Sequence, residues 1–120
     1  MDEKVSIELQ MKKKTGIVAF ISQSISDVDE IANISKQVTE FIDSNHPSRL
    51  IIDFERVKFF SSQVLGLLLD FRTRLAADNG EVVISAIDPQ LHRVFRITNL
   101  DKIFRFFQDR ESALKTTGKD

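Results

Sequence analysis

Leu50-Ile51-Ile52-Asp53-Phe54-Glu55-Arg56-Val57-Lys58-Phe59-Phe60-Ser61-Ser62-Gln63-Val64-Leu65-Gly66 joins a β-favouring run to the start of an apolar helix. Arg49 to Phe54 is a short β-favouring run that fits a central strand buried on both faces. From Ser61 to Asp78, the residues Val64, Leu65, Leu67, Leu68, Phe71, Leu75 and Ala76 fall in helical register. A buried strand leading through Glu55–Phe60 into an apolar helix is the building unit of a parallel α/β sheet.

Working outward, Val5, Ile7 and Leu9 alternate with Ser6, Glu8 and Gln10, the period-2 pattern of a half-buried strand. A basic turn, Lys12-Lys13-Lys14-Thr15-Gly16, leads into a second strand, Ile17 to Ile21, and the short connection predicts an antiparallel hairpin. After a polar stretch beginning at Ser24, Val28, Ile31, Ile34, Val38, Phe41 and Ile42 make one apolar stripe of a helix that ends at Ser44–Ser48. Asp27, Asp29 and Glu30 stand at its start, where acidic side chains suit the helix dipole. Beyond the second helix, Asn79-Gly80 closes it, with Gly80 available for a left-handed position. Glu81 to Ala86 reads as a strand, and Asp88-Pro89 as an N-cap and first helical residue before the stripe Leu91, Val94, Phe95 and Ile97. Ile103 to Phe107 is a last strand, Asp109 to Leu114 a short helix, and 115–120 a frayed tail.

The predicted order is β-β-α-β-α-β-α-β-α. It implies an α/β fold with a mostly parallel sheet, an N-terminal antiparallel hairpin, and one domain over 1–120.

Composition narrows the function. A chain of 120 residues, 42% hydrophobic and 29% charged, is long enough for one core. A net charge of −1 gives no reason to expect nucleic acid or an anionic membrane as partner. The chain has no cysteine, which excludes thiolate chemistry and Cys-ligated metals. MDEKVSIELQ lacks the features of a secretory signal, and the apolar run Val64 to Leu69 is far short of the ~20 residues that span a bilayer. A soluble cytoplasmic protein, with no insertion into the membrane, is the expectation. There are ten Phe with no Trp or Tyr. Most are expected in the core, where Phe has no polar atom to satisfy. Adjacent pairs such as Phe59-Phe60 and Phe106-Phe107 should point to opposite faces, leaving some rings exposed and a homodimer open.

No P-loop, GxGxxG or HExxH occurs. His46 reads as a loop residue before Pro47 and His92 as a surface residue of a helix. Asp27, Asp29, Asp53, Glu55 and Asp70 would suit Mg²⁺ if they met, but capping and solvation explain them more simply. The reading is therefore no metal, no cofactor and no enzyme. The strongest candidate site is Phe59-Phe60-Ser61-Ser62, a strand end opening a helix, where unpaired backbone N–H groups attract an oxygen anion such as a phosphoserine. The plain alternative is that Ser61 or Ser62 only caps the helix.

Leu50 to Gly66 also resembles the signature of STAS domains, the bacterial anti-sigma factor antagonists. That family has a strand of the type "vvlDl" followed by "v-x-f-i-D-S-S/T-G-L-G". The resemblance continues through Asn79-Gly80-Glu81, Asp88-Pro89 and Ile97-Thr98-Asn99-Leu100-Asp101-Lys102-Ile103-Phe104, so it covers essentially the whole chain. It implies a partner-switching regulator that binds an anti-sigma factor serine kinase through the start of the second helix. The implied contact surface is Asp27, Phe60, Ser61, Ser62, Gln63 and Val64. In the family the kinase phosphorylates a Ser or Thr at this helix start and breaks the complex; the added charge of about −1.5 to −2 is reason enough. Here Ser61 stands in place of the family's Asp, Ser62 in place of its first Ser, and Gln63 at the usual phosphoacceptor position. Gln63 has no hydroxyl. Either the switch has moved to Ser62 or Ser61, or the protein binds constitutively, and the missing Asp favours the second. The alternative within the same fold is a STAS subunit serving a membrane transporter or lipid-transport complex. A nucleotide-binding domain is the weakest reading, with no Gly-rich loop to support it.

Overall fold

The computed structural model describes residues 6–116. Its sheet has the order β1-β2-β4-β6-β7, with β1 (Ile7–Lys12), β2 (Thr15–Phe20), β4 (Arg49–Asp53), β6 (Glu81–Ser85) and β7 (Arg105–Phe107). β1 pairs antiparallel with β2, and every later pair is parallel. The expected α/β architecture and the order of its main elements are therefore present.

Strand β4 is buried along its whole length, its apolar centre Leu50-Ile51-Ile52 flanked by the buried charged residues Arg49 and Asp53. Helices α1 (Val28–Asn45), α2 (Gln63–Ala76) and α3 (Pro89–Ile97) share one core with the face of the sheet that carries Val18, Phe20, Leu50, Ile52, Val82 and Ile84. On the opposite face, Ile17, Ile51 and Val83 pack with Ala113 and Leu114 of the short helix α4 (Arg110–Lys115). Phe106 joins the first core and Phe107 the second, the alternation that adjacent strand residues must show. Phe54 is the hub of the aromatic packing, edge-on to Phe20 at 5.1 Å, Phe60 at 5.7 Å and Phe95 at 6.5 Å. No helix of the described residues is long and apolar enough to cross a membrane.

Several local expectations are corrected. The hairpin turn is Lys13-Lys14, tighter than Lys12–Gly16: Lys12 pairs with Thr15, and Lys13 takes the positive φ of 58°. Gly16 lies inside β2 for a packing reason. A Cβ there would sit 2.8 Å from Phe41 Cε2 and 3.0 Å from Leu50 Cδ1, so its absence lets α1 approach the sheet. After α2, Asn79 adopts the left-handed conformation at φ 62°. Gly80 instead avoids a Cβ 3.1 Å from the Ser48 carbonyl while its amide donates to the Leu75 carbonyl at 2.7 Å. Val28, the first residue of α1, and Ile97, the last of α3, leave their stripes and are exposed at 63% and 73%.

The last strand begins at Arg105 and not at Ile103. Leu100–Lys102 forms a 3₁₀ turn whose Leu100 carbonyl accepts the amides of Ile103 and Phe104, and Phe104 is buried against Phe95. Lys115 completes α4, and the Thr116 carbonyl accepts from the Arg49 guanidinium, so the ordered chain runs past the expected tail start. Residues 117–120 of that tail, and Val5 of the first strand, lie outside the described residues. Asp88 and Pro89 start α3 as read: the Asp88 carboxylate accepts from the Gln90 amide at 2.8 Å.

Candidate functional site at the start of helix α2

A second, very small sheet builds the site. β3 (Ser24–Ile25) pairs in parallel with β5 (Phe59–Phe60), with Ser24 opposite Phe59 and Ile25 opposite Phe60. Neither two-residue strand has a sequence signature, since two residues carry no periodicity. The Gln23 carbonyl accepts from the amides of Lys58 and Phe59 at 2.7 and 3.1 Å, and the Ile25 carbonyl from the Ser61 amide at 3.0 Å. The two chain segments that open α1 and α2 are thus joined just before their helices begin. Asp27 lies two residues beyond Ile25, and Ser62 two residues beyond Phe60, so the ladder brings both to the same edge of the domain.

Asp27 caps α1, its carboxylate accepting from the Glu30 amide at 2.9 Å. Ser62 occupies the capping position of α2 but has helical backbone angles and makes no side-chain cap bond. The Ser61 hydroxyl oxygen is buried with no partner. Neither serine therefore fulfils the capping alternative. Ser62 and Gln63 are exposed, as are Asp27 and Ser24.

Two residues of the expected contact surface belong beneath it. Phe60 is 6% exposed and Val64 fully buried, so both support the surface from the core without presenting side chains on it. The exposed ring is the neighbouring Phe59, at 53%. The sequence flags the Phe pair but not which ring faces out; that choice is made by the β3–β5 register and by Phe60 packing on Phe54 and Phe95. The carboxylates considered together for Mg²⁺ do not assemble: no group of three or more ligands that could hold a metal occurs among the described residues. Asp53 instead pairs with Arg110 of α4 at 2.7 Å. Asp70 pairs with Arg74 one helical turn on.

Residue Arg110 was not legible as part of this region. A buried Asp in a strand demands a cationic or donor partner, but the sequence offers many cations and does not say which one the topology delivers.

Comparison with known proteins agrees with this architecture. The STAS domain family model matches residues 8–113. The anti-sigma F factor antagonist of Paenibacillus polymyxa is 19% identical over 110 residues, covering 92% of this chain and 94% of the relative. The unphosphorylated form of the anti-sigma factor antagonist SpoIIAA superposes with a TM-score of 0.80 at 22% identity, over 91% of this chain and 93% of SpoIIAA. An anti-sigma-factor antagonist (STAS) domain protein from Planctomyces limnophilus superposes with a TM-score of 0.84 at 21% identity, over 94% and 98% of the two chains. The start of α2 carries the residues that resemble the STAS signature, and with the family model spanning nearly all of the described residues, the chain belongs to the STAS domain family.

Proposed function

We propose that this protein is an anti-sigma factor antagonist of the cytoplasm that docks on an anti-sigma factor serine kinase. The observation that carries the reading is the exposed cluster Asp27, Phe59, Ser62 and Gln63, held at one edge by the β3–β5 ladder of a STAS fold. The name of the Paenibacillus relative supports it. An exposed aromatic ring ringed by polar groups is the usual make-up of an interface anchor, since ring burial supplies the energy and the polar rim supplies specificity.

In this reading the protein binds in its unmodified form. Gln63 cannot accept phosphate, and the buried Ser61 hydroxyl is out of a kinase's reach, which leaves Ser62 as the one exposed hydroxyl of the pair. Incubation with the anti-sigma factor kinase and ATP, followed by mass spectrometry, tests this. The expected result is a stable complex with no phosphate on Ser61. Phosphate on Ser62 that dissociates the complex would replace constitutive binding by a switch displaced one residue. Co-purification with a permease or ATPase and not with an anti-sigma factor would instead support a transporter-associated STAS subunit.

A further inference from the structure

The Asp53 carboxylate is 3% exposed and holds two unlike parts of the molecule with its two oxygens. Oδ1 accepts from the backbone amide of Glu55 at 3.0 Å, which sets the direction in which the chain leaves β4. Oδ2 accepts from Arg110 through Nε at 2.9 Å and Nη2 at 2.7 Å, a two-pronged ion pair. Arg110 is the first residue of α4, the helix on the opposite face of the sheet from α1, α2 and α3. At its other end α4 is held by the buried Arg49, which donates to the Ala113 carbonyl at 2.9 Å and to the Thr116 carbonyl.

From Glu55 the chain has little slack before the partner-binding edge. The Val57 amide donates to the Phe54 carbonyl at 3.0 Å, Val57 and Phe54 are buried, and Lys58 and Phe59 are fixed on Gln23. A carboxylate is a rigid plane. If α4 moves and Oδ2 follows Arg110, Oδ1 turns away from the Glu55 amide. If Oδ2 does not follow, a buried charge loses its partner, and it regains solvation only by opening the same loop.

We propose that Arg110 is a positioning residue for the partner-binding edge: through Asp53, docking of α4 sets the conformation of Glu55–Phe59 and so the presentation of Phe59. The inference rests on the docking surface proposed above for its functional consequence, but its structural half stands alone. A ligand or modification that releases α4 would weaken binding from the far side of the sheet, and a partner that orders the Phe59 edge would tighten α4 in return, since such coupling is reciprocal.

Hydrogen exchange of the full chain, read amide by amide, tests it in Arg110→Met, which keeps an apolar stem and removes every donor. The expected result is exchange about five- to tenfold faster at Glu55, Val57, Lys58 and Phe59, with the β1–β2 hairpin unchanged. Arg110→Lys restores the charge without the fork and should fall in between; it serves as the readout if Arg110→Met does not fold. Adding Asp53→Asn to Arg110→Met removes the orphaned charge and keeps an oxygen for the Glu55 amide, so loop protection should largely return while α4 stays loose. Unchanged exchange at Glu55–Phe59 with α4 loosened, or loop exchange not recovered in the double variant, would overturn the proposal. Affinity of Arg110→Met for an anti-sigma factor kinase that binds the parent chain should drop by a similar factor. If the parent chain binds no such kinase, the docking reading fails, and the exchange result alone decides the coupling.

Discussion

The amide of Ser61 donates to the carbonyl of Ile25 at 3.0 Å, stitching the segment that opens α2 to the segment that opens α1. Because β3 and β5 are only two residues long, this bond and the two to Gln23 define the edge that carries Asp27, Phe59, Ser62 and Gln63. The large aromatic core centred on Phe54 lies directly under it, through Phe60. The edge thus carries one exposed ring and several exposed polar side chains above a packed base.

Ser62→Glu separates binding from stability. A negative charge at a helix start interacts favourably with the helix dipole, by about 0.3–1 kcal/mol at an exposed position. The thermal midpoint should therefore hold or rise slightly. Affinity for the proposed anti-sigma factor kinase partner should fall about tenfold or more, equivalent to ~1.4 kcal/mol, because the new charge lies in the proposed contact. Calorimetric melting and binding titration on the same preparation check both directions.

The two adjacent phenylalanines should behave oppositely. Phe59→Ala removes an exposed ring, so stability should change by no more than ~0.5 kcal/mol, while affinity should drop by at least ~1 kcal/mol as for an interface anchor. Phe60→Ala opens a cavity beside Phe54 and should cost about 3–5 kcal/mol of stability. Urea denaturation and titration of both variants would expose any reversal of this order.

Docking of α4 should weaken in acid. The Asp109 carboxyl is held below its ordinary value by the Ser112 backbone amide, then by the Ser112 side chain, with Lys115 adding a smaller effect. Its contribution is fully present above the unfolded value of ~3.9 and is lost as pH falls through the lower folded value. NMR shifts of the Ser112 and Ala113 amides should titrate in that range. In Asp109→Asn the cap oxygen persists but that titration should vanish; its persistence would assign the effect to another group.

The main sheet and its helices were readable from residues 49–66 outward because their signals are clear in the local pattern: a strand with the apolar centre Leu50-Ile51-Ile52, a helix with apolar residues in register, and the Asp88-Pro89 start. The hairpin register was not, since Gly16 invites a turn by residue type while its actual value is the missing Cβ beneath Phe41. The same holds for Asn79-Gly80, where the two residues exchange the roles that composition predicts. At the site, the helix start was legible as a strand-to-helix junction, and Asp27, Ser62 and Gln63 do lie exposed there. Which of Phe59 and Phe60 faces outward was not, nor was the pairing of Arg110 with Asp53. Both depend on contacts between segments far apart in sequence, which no local pattern records.

Titration of the unmodified protein into an anti-sigma factor serine kinase, followed by calorimetry, addresses the central claim most directly. Saturable binding with a dissociation constant of about micromolar or tighter, lost or weakened at least about fivefold in Phe59→Ala, is the predicted result. No binding to any such kinase, or binding of equal strength in Phe59→Ala, Ser62→Glu and the parent chain, would contradict it.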